Sequence, residues 1–338
     1  MENTGLYIHI PFCVKKCNYC DFNSAPFSDE IKELYFNALI KELKIKSGLF
    51  ENKKIDTLFL GGGTPSTVSV DLIAKLFDCI NSFYNLSEDA EISIETNPGT
   101  LNSAKLCAYK TFGINRLSIG LQSTVEEELK ILGRIHNFND FLTSFNLARE
   151  AGFENINVDL MNSIPNQTFD SFTAGLKRVK NLNPEHISVY SLIIEEGTPF
   201  HNMELNLPDE DTDRDMVHSI IDILGDEYSQ YEISNYSKKG YECRHNIKYW
   251  KREDYEGFGI SAASPFDRKI RYKNTNSIYE YIDFLKNDDS FLIDYFRETL
   301  KGLNTGNSSP FYSEYEILDI GDMISEYIIL GLRMNEGI

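Results

Sequence analysis

The sequence predicts an α/β fold, a partial, open barrel of six parallel strands with helices outside, followed by a smaller α+β region. Three observations carry this prediction. Short β-rich runs recur along the first two thirds of the chain, stretches of helical periodicity lie between them, and polar residues gather at one end of each run. The runs are LYIHI (6–10), TLFLGG (57–62), EISIET (91–96), RLSIGLQ (116–122), NINVDLM (155–161) and HISVYSLI (186–193). Successive starts lie about 25 to 50 residues apart, room for one strand and one crossover helix, and that repetition builds a parallel sheet. Helical periodicity over 30–46, 70–84, 124–135 and 169–182 supplies the crossovers. Six units are too few for a closed eight-stranded barrel. A flat doubly wound sheet is the structural alternative.

A domain boundary is expected in the acidic stretch 201–215, which gives a barrel domain over 1–205 and an accessory region over 206–338. The accessory region reads as a helix (215–226), a strand (231–236), the segment HNIKYW (245–250), then GFGISAAS and a helix over 277–287. Residues 304–318 read as an irregular linker into a final apolar-faced helix over 323–332, which needs a partner.

The 338 residues are 41% hydrophobic and 25% charged, a globular composition. With 33 Lys and Arg against 52 Asp and Glu, the net charge is −19, which argues against nucleic acid as a partner. The short Lys-rich stretches, Lys41–Lys46 and Lys238–Lys239, read as solvated faces. No apolar run approaches the ~20 residues of a membrane helix, and the N-terminus lacks a signal-peptide pattern, so a soluble cytoplasmic protein is expected.

Each strand reads as apolar in its body with its polar cluster at or past its end: PFCVKKCNYC, GGGTPS, ETNPGT, IGLQS and DLMNSIP. The C-terminal edge of parallel strands is where such folds build sites, because the loops converge there. Three of the six cysteines, Cys13, Cys17 and Cys20, stand in C-x3-C-x2-C spacing on the first such loop. Three thiolates on one loop can hold three corners of a cubane iron–sulfur cluster, leaving one iron open. A structural zinc site with His9 as fourth ligand is the plainer alternative. Cys79 and Cys107 sit in apolar helical patterns and read as core. Gly61, Gly62 and Gly63 would let the backbone approach a ligand, and the absence of a following Gly-Lys-Ser/Thr excludes a phosphate-binding loop.

The cysteine spacing, with an aromatic before the third cysteine and GGGTP after the second strand, resembles the radical S-adenosylmethionine (radical SAM) superfamily. In that superfamily the open iron chelates the amino and carboxylate groups of S-adenosylmethionine, and an electron from the 4Fe-4S cluster cleaves the sulfonium to a 5′-deoxyadenosyl radical. YIHIPFCVKKCNYCDF, GGGTPS, ETNPGT, RLSIGLQS, LGRIHN, NVDLMNSIP and HISVYSL together resemble the oxygen-independent coproporphyrinogen III oxidase group. True oxidases carry a further cysteine where this chain has Phe22. The heme chaperones called HemW lack it and carry HNxxYW, here His245-Asn246-Ile247-Lys248-Tyr249-Trp250. The resemblance runs from about residue 5 to the end.

That resemblance implies S-adenosylmethionine contacts at Tyr7, Gly62, Gly63, Thr64 and Glu95. Gln122, Arg134 and Asp159 match positions that contact a second S-adenosylmethionine in the oxidases. Taken singly, Glu95 could be a helix-start acid and Arg134 a surface ion pair. For heme, the imidazole of His245 is a suitable axial ligand, and Tyr249 and Trp250 offer flat apolar surface; Cys243 is a second candidate ligand. The plain reading keeps His245 and its aromatic neighbours as packing.

Two departures from the group stand out: a histidine common in relatives is Ala263 here, and the chain stops at GLRMNEGI where relatives continue. The expected function is that of a heme chaperone delivering heme to an acceptor such as a respiratory protein, the membrane and a second copy of the chain included among its surroundings. The alternative is radical decarboxylation of coproporphyrinogen III to protoporphyrinogen IX. A radical RNA-modifying enzyme fits the cysteines but not the acidity.

Overall fold

In this computed structural model, residues 2–50, 52–300 and 310–338 are described. Six parallel strands form the frame: β1 (Glu2–Ile10), β2 (Lys53–Gly62), β3 (Leu86–Thr96), β4 (Arg116–Gln122), β5 (Ile156–Asn162) and β6 (His186–Ser191). They lie side by side in chain order, each hydrogen-bonded to the next. The crossovers are α1 (Asp29–Lys46), α2 (Val70–Phe83), α3 (Ser103–Thr111), the pair α4 (Glu126–Ile131) and α5 (Phe138–Glu150), and α6 (Phe169–Asn181). The helix expected over 124–135 is only the short α4. It stops because Gly133 turns into the left-handed region at φ 77°, which a glycine enters at little cost.

Past residue 205 the chain extends this sheet at both edges. After α7 (Glu210–Leu224), a hairpin of β7 (Ser229–Glu232) and β8 (Asn235–Ser237) adds antiparallel to β6. The single strand expected over 231–236 is thus two strands. After α8 (Arg244–Trp250), β9 (Tyr255–Phe258) pairs parallel with β1. The resulting nine-stranded sheet is open at β7 and β9, as a partial barrel requires. A three-stranded antiparallel sheet of β10 (Ala263–Phe266), β11 (Ile270–Asn274) and β12 (Tyr312–Ile317) follows, with α9 (Ile278–Phe284), α10 (Asp289–Leu300) and α11 (Ile320–Gly331). The expected linker over 304–318 lies outside the described residues up to 309, and from Tyr312 it is strand β12.

The six frame strands are not apolar in body. They alternate. Leu6, Ile8, Leu58, Ile94, Leu117, Ile119, Val158 and Ile187 face the helices, all in the buried core. Their neighbours Tyr7, Phe59, Glu95, Arg116, Ser118, Asn157, Asp159 and Ser188 line a cavity on the other face. A period of two places every second side chain on one face of a sheet, and here the concave face is polar.

The accessory region is locked to the frame by a buried ionic knot. Lys46, at the end of α1, lies 2.9 Å from both Glu42 and Glu256, and all three side chains are buried. Tyr281 donates to Glu42 and Tyr272 to Glu256. A buried cation needs such pairing to offset desolvation, so Lys46 is core and not the solvated face expected of it. Likewise Cys107 is exposed whereas Cys79 is buried. No helix among the described residues is long and apolar enough to cross a membrane.

Candidate functional site

Among the hollows that open on the concave face, two neighbours hold most of the expected site residues. The cysteine loop between β1 and α1 borders the smaller, a cleft of about 130 Å³. Cys13, Cys17 and Cys20 line it together with Gly62, Gly63, Thr64, Glu95, Gln122, Arg134 and Asp159. Of the eight positions implied as S-adenosylmethionine contacts, only Tyr7 lies outside it, and Tyr7 lines the adjoining cavity of about 590 Å³.

The cysteine loop is pinned from several sides. Asn18 donates its backbone N–H to Leu132 and its side-chain amide to Ile131, and its carbonyl accepts from Phe200. Arg134, from the same LGR turn, donates to Asn97 Oδ1 and the Gly120 carbonyl, each at 2.5 Å, and to Cys17 Sγ at 3.5 Å. It is therefore no surface ion pair; it sets a positive charge against the cysteine sulfur. The three thiols are free and partly accessible. Among the described residues no His, Cys, Asp or Glu side chains converge tightly enough for a single metal ion; a cubane spreads its cysteines over separate iron corners. His9 does not reach the thiols. Its Nε2 donates to the Asn23 carbonyl, its Nδ1 accepts from the Tyr7 hydroxyl, and burial lowers its pKa to about 4. The zinc reading loses its fourth ligand.

The glycine loop serves the protein itself. A Cβ on Gly62 would stand 2.6 Å from the His9 ring, and one on Gly63 2.9 Å from the backbone of Phe12. The N–H groups of Gly62, Gly63 and Thr64 go to Glu95, Ile10 and Phe12. With those donors consumed, the loop has none of them to offer a phosphate.

Glu95 accepts from Gly62 N at 3.0 Å, yet burial and the nearby Asp159 raise its pKa to about 7. Asp159, also shifted upward by burial, is held by Ser118 Oγ and Asn157 Nδ2. Gln122 follows a register break in β4 and has φ 72°, the kind of local strain that aims a side chain at a site.

The floor of the barrel, at the N-terminal strand ends, contrasts with this rim. There α8 presents its N-terminus to Glu91, whose carboxylate accepts from the N–H groups of Arg244 and His245. His245 is fully buried, with Nδ1 bonded to Thr57 Oγ1 and Nε2 to the Tyr249 hydroxyl, both at 2.8 Å. Burial lowers its pKa to about 3. Neither nitrogen is free, so the expectation of an axial ligand at His245 is not met in this arrangement. The Cys243 thiol is fully buried against Glu91, pushed up to about 12 chiefly by burial, and is no thiolate. Trp250 packs under the Arg333 guanidinium, 4.2 Å from its ring. Of the three residues expected to contact heme, His245, Tyr249 and Trp250, only Tyr249 reaches the cavity.

Sequence reasoning missed Arg116, Ser118, Asn157, Ser188 and Tyr190, which all line that cavity. Their signal was the strict alternation in RLSIG, NINVD and HISVY.

A sequence model of the radical SAM superfamily matches residues 7–179. The heme chaperone HemW of Bacillus subtilis (strain 168) is 36% identical over 338 residues, covering 98% of this chain and 84% of that protein. HemW of Escherichia coli (strain K12) is 41% identical over 262 residues, covering 76% and 69%. Among solved structures, the Escherichia coli coproporphyrinogen III oxidase HemN, a radical SAM enzyme, has a TM-score of 0.76 at 24% identity, covering 97% of this chain and 89% of that one. At that identity the likeness speaks for the fold alone.

Proposed function

The chain belongs to the radical SAM superfamily and, within it, to the HemW family, and on that premise we propose that it is a heme chaperone. It binds heme and passes it to a heme-requiring acceptor, for which respiratory proteins are the proposed class, and it works from the cytoplasm. The single observation that carries this reading is the identity to named heme chaperones over nearly the whole chain. Phe22, in place of the further cysteine of the oxidases, fits it.

Cys13, Cys17 and Cys20 would hold the 4Fe-4S cluster, and the cleft they share with Gly62, Gly63, Thr64, Glu95, Gln122, Arg134 and Asp159 suits S-adenosylmethionine. When bound, the cluster supplies an open iron and an electron. The chain's own part is positional. Arg134 offsets charge on Cys17, Glu95 and Asp159 set acceptors beside the cleft, and Asn18 fixes the loop. Residues 1–205 would carry this chemistry and 206–338 would shape the heme side. There His245 acts by orienting Tyr249, whose ring lines the cavity.

The test is an anaerobic heme titration of the cluster-reconstituted protein, followed by transfer to an apo-hemoprotein. Saturable binding and transfer are expected. Absence of specific binding, with turnover of coproporphyrinogen III instead, would replace the chaperone with the oxidase.

A further inference from the structure

Arg116 opens β4 at the foot of the larger cavity, and its side chain is only 2% exposed. Two buried carboxylates near it have their own hydrogen-bond partners. Glu91 is committed to the N-terminus of α8 and to the Cys243 thiol, and Asp159 to Ser118 and Asn157. Arg116 is not. Among the described residues its guanidinium makes no hydrogen bond and no ion pair within 4.0 Å, and its Nε is buried without a partner. A guanidinium carries five N–H donors in a planar fork; here the Nε donor is buried and unmet, which is costly, and the side chain borders the cavity. Glu91 and Asp159 hold the cation in place by charge without using those donors.

We propose that Arg116 is the anchor for a carboxylate carried by the ligand of this cavity. A carboxylate matches the fork with two parallel bonds. A phosphate is the poorer match, since its second charge would face Glu95 and Asp159, which line the same cavity. Around Arg116 the polar side chains of the concave face share the lining with the apolar surface of Phe59, Met161 and Tyr249, and exposed Phe22 and Ile193 lie at the mouth. The ligand therefore combines an apolar body with an acidic end that enters first. A heme propionate has this form, and assigning it rests on the chaperone reading above. The methionyl carboxylate of S-adenosylmethionine is the other source. Arg116 does not border the cysteine cleft where that carboxylate is expected, which favours the propionate.

The experiment titrates the cluster-reconstituted full chain and its Arg116→Gln and Arg116→Lys variants with heme, heme dimethyl ester and S-adenosylmethionine. Wild type should prefer heme over its ester by about ten-fold or more. R116Q should lose that preference, with ester affinity unchanged within about two-fold, and R116K should fall between. Cluster content and thermal unfolding identify a variant that has misfolded, and R116K retains the charge if R116Q fails to fold. An unchanged preference for heme over the ester in both variants overturns the propionate assignment. A loss confined to S-adenosylmethionine moves the anchored carboxylate to that molecule. If wild type binds no heme, the chaperone reading falls, and the S-adenosylmethionine arm alone decides Arg116: unchanged affinity there overturns the anchor altogether.

Discussion

The rim and the floor of this barrel use the same residue types to opposite ends. At the rim, Cys13, Cys17 and Cys20 are partly accessible and free of disulfides, on a loop that Asn18 and Arg134 hold in place. At the floor, Cys243, His245 and Glu91 are buried and bonded to one another or to the backbone. A cysteine or histidine becomes a ligand only when its lone pairs are left unspent in a place a ligand can reach. The rim sulfurs, Cys17 under Arg134 included, still border the cleft, whereas the floor has used its groups to close the barrel end with α8.

The largest expected effect lies at the rim. Replacing any one of Cys13, Cys17 or Cys20 by Ser should remove nearly all iron and acid-labile sulfide after reconstitution, whereas Cys243→Ser should retain both; chemical analysis and visible absorption read the difference. At the floor, His245→Ala should lower unfolding free energy by about 2–4 kcal/mol, from the vacated volume and two lost hydrogen bonds. Denaturant titration measures this, and cluster content should be unchanged. A heme complex that loses its axial ligand in that variant, at undiminished stability, would erase the distinction between the two regions.

Intermediate in size is Glu95→Gln at the rim, which should weaken S-adenosylmethionine binding by about ten-fold (~1.4 kcal/mol) in equilibrium titration. A further effect concerns acid. Because its folded pKa is lowered from 6.5 to about 3, His245 contributes stability that is fully present above pH 6.5. As pH falls from there the unfolded chain takes up the proton first, so the contribution is lost progressively toward pH 3. The slope is at most about 1.4 kcal/mol per pH unit for one group. His245→Gln should flatten the stability curve between pH 6 and 4 by about that slope; an unaltered curve would mean that His245 is already protonated in the fold.

Much of this molecule was legible in one dimension. The repeat of strand and helix specified the parallel frame, and C-x3-C-x2-C announced the cysteine loop, because both are short-range patterns. The alternation in RLSIGLQ is equally visible, yet in one dimension it reads as an apolar body. Such a strand exposes one face to helices and the other to a cavity, and only the assembled sheet tells which face is which.

By itself the sequence determined the order of strands, the rim loops and the thiol cluster, since each depends on neighbours a few residues apart. Tertiary structure alone decided the rest. It brought Thr57 to Nδ1 of His245, whose Nε2 is taken by Tyr249, and thereby consumed that imidazole. It buried Lys46 between Glu42 and Glu256, residues 210 positions apart in the second case. It also left the Arg116 side chain without a hydrogen-bond partner at the foot of a cavity lined by both polar and apolar groups. Whether a polar group is satisfied depends on what folding places within about 3 Å of it, and for these residues the partners come from distant parts of the chain.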